Sequence, residues 1–281
     1  MKIIRSSNEY YMSDSKVFLL ITFNSVLFYL LAYLSLFLIT RLSTAISAYA
    51  FNIPAVIYYF DIDFMINGHG WSPGAAITVF GIAPLISMIL GLSMLVLYIE
   101  IAGYAGRAAV FIIWLIILSL GYCAGELIMG TILNRGFGNV MKYWYILDTE
   151  RLLFVLISAI VLVFTGTALS RVFLWSASAY FTELTGRSKI KFAFCQFILP
   201  YMIATGILQA CELPHVSFYL CALRSMPVLI FLPFISFCGV VPDLVFTDTP
   251  VKPAFSKLLL AITLLALLGY RVVFGIGLRL G

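Results

Sequence analysis

Charged side chains are scarce in this chain, and the motifs of several common enzyme classes are missing. Only 10% of the residues are Asp, Glu, Lys or Arg, whereas 63% are hydrophobic. The sequence contains no HExxH zinc motif, no Walker phosphate loop and no GxSxG nucleophile motif. Because it also has just two histidines and no dense basic run, it predicts no metal site, no cofactor and no nucleic-acid partner.

Cysteine is also sparse, and its pattern indicates no redox or metal centre. The five cysteines are an odd number and form no CxxC pair. Most of them lie in apolar runs, where cysteine acts as a small hydrophobic residue. Cys211 and Cys221 flank one short loop, so they are the candidate disulfide pair if that loop faces an oxidising compartment.

What the chain does contain is a series of apolar runs, each about 20 residues long. A helix of that length crosses the ~30 Å hydrocarbon core of a bilayer, and no soluble domain can cover so much apolar surface. The sequence therefore predicts an all-α, polytopic transmembrane helix bundle of about seven spans, within a range of six to eight. After a polar tail at residues 1–16, residues 17–281 form one membrane domain with spans near 17–40, 75–98, 108–131, 152–170, 191–210, 226–241 and 256–274.

The apolar segment 42–60 is the uncertain part of this topology. It follows Arg41 with no turn in which the chain can reverse, and it contains Pro54. We interpret it as an interfacial or re-entrant piece, and a full crossing that adds an eighth span is the alternative. A polar loop at residues 61–73 comes next.

Basic residues in short loops set the orientation of a membrane protein, with the larger number on the cytoplasmic side. Under the predicted topology, ten of the 17 Lys and Arg fall on the side of the N-terminus. The seven on the other side are Arg41, Arg135, Lys142, Arg151, Arg224, Arg271 and Arg279. The small excess predicts a cytoplasmic N-terminus.

Glu126 is the leading candidate for a functional residue, because it lies inside the third predicted span. A carboxylate in hydrocarbon costs a few kcal/mol and normally faces a bundle interior or a wet cavity. It can serve as a proton or cation site or as a general acid or base. The alternatives are a structural pair with an arginine or tyrosine, or a position near the headgroups. Gly121, Gly125 and Gly130 surround it, and such small residues permit close helix packing.

Polar residues near the predicted outer surface form two further candidates. Asp61 and Asp63 make a DxD pair, with His69 in the same loop, and such a pair can hold a divalent metal against a phosphorylated substrate. A solvated turn is the alternative. Glu212 and His215 close the fifth span, and we interpret them as interfacial residues, with a pH-sensitive pair as the alternative.

One short stretch resembles a known family. Residues 81–91, with Gly81, Pro84 and Gly91, are similar to the glycine- and proline-containing helix of intramembrane site-2-type metalloproteases. The metal-binding HExxH of that family is absent, and residues 40–44 read Thr-Arg-Leu-Ser-Thr where it is expected. The resemblance therefore implies a non-catalytic relative. The chain as a whole is similar in style to aromatic-rich inner-membrane proteins of Bacteroidota-type bacteria.

Three functions remain open on this sequence. The first is a non-catalytic subunit or scaffold of a larger membrane assembly, with other integral membrane proteins and lipid as partners. It rests on the missing catalytic motifs and on helix faces suited to packing in lipid. The second is a small ion-coupled transporter that uses Glu126. The third is an outward-facing lipid-linked transferase or hydrolase that uses Asp61, Asp63 and His69.

Overall fold

The part of the chain that the structure describes is almost entirely helical. In the computed structural model, this part comprises residues 14–66, 70–101, 108–181, 183–184, 186–212, 218–245 and 255–280. It forms eight helices and five short strands. The helices are α1 (Asp14–Ala50), α2 (Pro73–Ile101), α3 (Ala108–Gly125, continued by a π-helical turn at Glu126–Gly130 and by Thr131–Leu133), α4 (Phe137–Tyr143), α5 (Asp148–Leu174), α6 (Arg187–Ala193, continued by a π-helical turn at Phe194–Ile198 and by Leu199–Glu212), α7 (Phe218–Cys238) and α8 (Lys257–Ile276).

These helices make the chain a multi-pass membrane protein, and the predicted all-α bundle is confirmed. Six of them, α1, α2, α3, α5, α6 and α8, are long and apolar enough to cross a bilayer. α7 adds a shorter apolar stretch, Ser225–Cys238. Helices are expected here, because lipid offers no hydrogen-bond partner for an unpaired peptide group. The seven predicted spans overlap these seven helices one to one, and α4 is too short to cross.

The segment 42–60 does not form a separate interfacial or re-entrant piece. Residues 42–50 continue α1, whose 37 residues form one unbroken helix. The chain then turns, and β1 (Ala55–Ile57) pairs antiparallel with β2 (Ile62–Phe64). The expected break after Arg41 is absent because the apolar and small residues that follow it sustain the helix. Pro54 lies just before β1, outside any helix.

Two small sheets mark the opposite ends of the bundle. β5 (Leu278–Leu280) pairs with β1, directly after the end of α1, and we call this end the C-terminal side. β3 (Glu183–Leu184) pairs with β4 (Leu244–Val245) at the other end, the N-terminal side, where α1 begins. Since 37 helical residues rise about 55 Å at ~1.5 Å each, the two ends of the described chain lie on opposite sides of the bundle.

The half of the bundle toward the N-terminal side has an aromatic core around α3. This helix is hydrophobic on every side, which is typical of a helix enclosed by others, and its Trp114 is fully buried. The indole N–H of Trp114 donates to Ser25 Oγ at 2.8 Å, and Ser25 donates to the carbonyl of Gln196 at 2.6 Å. Edge-to-face and tilted ring contacts complete this core, which contains Tyr29, Trp114, Phe173, Phe197, Tyr201, Phe231 and Phe234.

Close backbone contact joins α4 to the end of α3. A Cβ atom on Gly138 would clash with the carbonyl oxygen of Gly130, so only glycine permits this approach. We predict that Gly138→Ala lowers the free energy of unfolding by about 1–3 kcal/mol, because backbone atoms must move apart. Thermal unfolding in mild detergent measures this effect.

Gly206→Ala is the matched control, because a Cβ atom at Gly206 in α6 meets no atom within 4 Å. It should leave stability unchanged or raise it by up to ~1 kcal/mol, since alanine favours a helix. Equal stability of the two variants would show that the backbones of Gly138 and Gly130 are not in close contact.

An ion pair fastens α6 to the chain that follows α7 on the N-terminal side. Lys189 is only 3% exposed, and its Nζ lies 2.8 Å from Asp243 Oδ1. The Lys189 ammonium also donates to the carbonyl of Val241. Its hydrogen bond to Asp243 holds the pKa of that carboxyl below the usual value of 3.8. The pair therefore stabilises the fold while Asp243 is ionised.

We predict that Asp243→Asn lowers the thermal unfolding midpoint at neutral pH, because a buried ammonium loses its counter-charge. The difference from the wild type should be complete above pH 3.8 and disappear as the pH falls through the lower pKa of folded Asp243. Asp148→Asn is the control, since Asp148 is 95% exposed in its pair with Arg151. A difference in unfolding midpoint that persists at acidic pH would contradict a stabilising role for the ionised Asp243 carboxylate.

Candidate functional site

Glu126 is buried inside the bundle at the start of the π-helical turn of α3. Its side chain is 5% exposed, and its Oε2 accepts a hydrogen bond from the backbone N–H of Phe137 at 3.3 Å. The side chain of Tyr122, one turn earlier on α3, also hydrogen-bonds to Glu126. The carboxyl group is therefore held by its own helix and by the start of α4.

The sequence around Glu126 explains how a backbone amide reaches it. Single π-helical turns inside α-helices are rare and occur often at functional sites. Gly130 ends this turn and Gly138 packs against it, so α4 folds back over the end of α3. The N–H of Phe137, at the first position of α4, then points at the carboxyl group.

A second charged residue joins this site from α1. Arg41 and Tyr33 both lie close enough to Tyr122 to act on it electrostatically. The guanidinium carbon of Arg41 also stands 5.7 Å from the ring centre of Phe37. Arg41, Tyr33, Tyr122 and Glu126 thus form a polar cluster between α1 and α3.

The polar cluster borders an internal cavity of about 50 Å³. Since about 10–15 Å³ suffices for the first water molecule and each molecule in the liquid occupies about 30 Å³, it has room for about one or two water-sized groups. Side chains of α1, α3 and α7 form its walls. They are Tyr29, Tyr33, Leu36, Phe37, Thr40, Arg41, Leu118, Tyr122, Leu223 and Pro227.

An apolar groove lies on the other side of Glu126. Cys123, Leu127 and Phe137, which flank Glu126 or bond to it, all line this groove. It has a volume of about 410 Å³ and runs between α2, near Pro84, and α4. Neighbours of Glu126 therefore line both openings, Tyr122 the cavity and Cys123 and Leu127 the groove, whereas Glu126 itself lines neither.

A second buried carboxylate, which the sequence analysis took for an interfacial residue, lies at the end of α6. Glu212 is fully buried, and its Oε1 lies 2.6 Å from the hydroxyl oxygen of Tyr270 in α8. The same hydroxyl lies 3.0 Å from the carbonyl oxygen of Tyr59. The Arg271 guanidinium stacks 4.4 Å from the centre of the Tyr59 ring. His215 lies outside the described residues.

The acidic residues of the first loop do not join either buried cluster. Asp61 and Asp63 are both exposed on the β1–β2 hairpin. Asp61 Oδ1 accepts from the N–H of Ile62 at 2.9 Å, and Asp63 pairs across the sheet with Val56. His69 lies outside the described residues. Among the residues that are described, no three His, Cys, Asp or Glu side chains converge as metal ligands.

The glycines and cysteines singled out in the sequence occupy defined positions. A Cβ atom on Gly121 would lie 2.9 Å from Pro227, and one on Gly125 would lie 2.8 Å from both Leu223 and Met226. These glycines therefore let α7 pack closely on α3. Gly130 faces the backbone of Arg135 in the same way. Cys211 carries a free, half-buried thiol, and the side chain of Cys221 lies outside the described part.

Comparison with known proteins adds no family to these observations. No protein-family model matches the chain, and neither a curated protein nor a solved structure matches it.

Proposed function

We propose that this protein is an ion-coupled membrane carrier in which Glu126 binds and releases the coupling proton. The observation that carries the proposal is the burial of Glu126 beside Tyr122, which hydrogen-bonds to it and lines the cavity together with Arg41. Ionisable residues inside membrane proteins are expensive and commonly mark substrate or proton pathways.

We further propose that the carrier belongs to a bacterial inner membrane and keeps its N-terminus in the cytoplasm. Under the predicted topology, ten of its 17 Lys and Arg fall on the side of the N-terminus, which favours this orientation. The cavity beside Arg41 then lies in the outer half of the protein, since Arg41 belongs to the last third of α1.

A carrier requires water to reach its coupling site, and Thr40 provides a position for testing this. Thr40 lines the cavity, and its hydroxyl donates to the carbonyl of Leu36 in its own helix. In a cysteine-free background, we expect Thr40→Cys to react with a membrane-impermeant methanethiosulfonate added outside intact cells. Adding Glu126→Gln should change that rate severalfold, because a neutral amide cannot exchange the proton.

Ser87→Cys is the matched control for this labelling. Ser87 is fully buried and also donates to a carbonyl of its own helix, but it does not line the cavity. It should stay unmodified. If Thr40→Cys is equally unreactive from both sides of the membrane, the cluster is dry and the carrier proposal is wrong.

A subunit or scaffold role in a larger membrane assembly is the second candidate, and one feature of α5 favours it. In the first half of this helix, residues 148–161, no side chain is buried. Leu152 is 67% exposed and Ile157 is 57% exposed. The small residues Ser158 and Ala159 would let a partner helix approach closely.

We predict that Ile157→Trp removes a stoichiometric membrane-protein partner from native purifications in mild detergent, because the larger ring obstructs helix packing on α5. Leu265→Trp on α8, where Leu265 is 69% exposed, is the matched control and should retain the partner. Quantitative mass spectrometry of the tagged protein at its natural expression level measures the ratio. A protein that purifies alone would rule out the scaffold role.

A further inference from the structure

The residues that line the cavity beside Arg41 indicate whether the ion that the carrier moves is a cation or an anion. A guanidinium stays protonated and offers five N–H donors in one plane. Tyr29, Tyr33 and Tyr122 line the same cavity, and the Tyr29 hydroxyl lies 3.3 Å from that of Thr205. The remaining walls are mostly apolar. A fixed positive charge at the wall of such a cavity repels a metal cation and attracts an anion.

The volume of the cavity limits the size of that anion. About 50 Å³ holds roughly one or two water-sized groups. Chloride or formate fits within this space, whereas a nucleotide or a sugar phosphate does not.

Charge balance then links the anion to the proton on Glu126. An empty site with Arg41 charged and Glu126 ionised has no net charge. If a monovalent anion enters and one proton moves onto Glu126, the loaded site is again neutral. A net charge in a low-dielectric interior is costly, so the two neutral states are favoured over those that hold an anion or a proton alone.

We infer that the cavity beside Arg41 binds a small monovalent anion, which crosses the membrane together with one proton carried by Glu126. This inference rests on the proposed carrier function and names its substrate class. It also requires transport to be electroneutral, because both the empty and the loaded site are uncharged.

Other ionisable groups nearby belong to the same region of the bundle. On α3, Tyr122 and Cys123 lie within electrostatic reach of Glu126, and Tyr33 acts on Tyr122 from α1. Glu212 and Arg271 lie beyond Phe37, which contacts the ring of Tyr270 at 5.0 Å.

Flux measurements on the purified full-length protein in liposomes test the inference. The probes are radiolabelled formate and chloride, with the membrane potential clamped by potassium and valinomycin. We expect an inward proton gradient to accelerate uptake, and we expect a change of the clamped potential to leave it unaltered. One proton should enter with each anion.

Two variants separate the roles of the anion and the proton. Arg41→Gln should reduce anion uptake about tenfold or more, through loss of charge-assisted hydrogen bonds. Glu126→Gln should abolish the dependence of uptake on the proton gradient. Tyr33→Phe, which keeps the charge, should weaken uptake severalfold and serves if Arg41→Gln does not fold. Glu100→Gln, at the exposed end of α2, is the control and should behave as the wild type.

The outcomes distinguish this inference from the carrier function itself. If Thr40→Cys is reached by water but the wild type moves neither anion, the inference is overturned while the carrier proposal stands. Anion uptake that responds to the membrane potential would also overturn it. If Thr40→Cys does not react with the methanethiosulfonate from either side and no flux occurs, both proposals are wrong.

Discussion

Polar groups inside this bundle must find their partners within the protein, because the surrounding lipid offers no hydrogen bonds. Many buried side chains meet this constraint, whereas the hydroxyl groups of Ser119 and Thr131 and the side-chain amide of Gln196 have no hydrogen-bond partner among the described residues. Thr22 and Ser25 of α1 donate to the carbonyls of Cys195 and Gln196, which belong to the π-helical turn of α6. Trp114 donates to Ser25 in turn. A wider helical turn leaves carbonyl groups available, and neighbouring helices use them as points of attachment.

The π-helical turn of α3 meets the same constraint for an ionisable group, the carboxyl group of Glu126. Glu126 is placed where α4 and Tyr122 both approach it, and glycine at positions 130 and 138 makes that approach sterically allowed. A structural role for these contacts and a functional one are compatible. The contacts keep the carboxyl group inside the bundle, beside Tyr122, which lines the cavity.

Composition and run length were sufficient to predict the helical bundle, because both are local properties of the chain. They also exposed Glu126, which interrupts an apolar run. The sequence did not indicate that Arg41 and Glu212 belong to polar clusters inside the bundle. Each lies near the end of an apolar run, and segments remote in the chain cover it. Tyr59 and Tyr270, which surround Glu212, are 211 residues apart. The strands were not predicted, because segments of two or three residues carry no periodic signal and because their pairing depends on the complete fold.

The two halves of the bundle differ in a way that bears on how a carrier works. Toward the N-terminal side, the rings of Trp114, Phe197 and Phe231 pack against one another, with the hydrogen bonds of Ser25 beside them. Toward the C-terminal side lies the cavity with Arg41 and its tyrosines. In the proposed carrier, these rings would close the N-terminal side, and access from there would require α6 and α7 to separate at Phe197 and Phe231. Because Ser25 of α1 donates to the carbonyl of Gln196 in α6, that separation would also strain the attachment of α6 to α1.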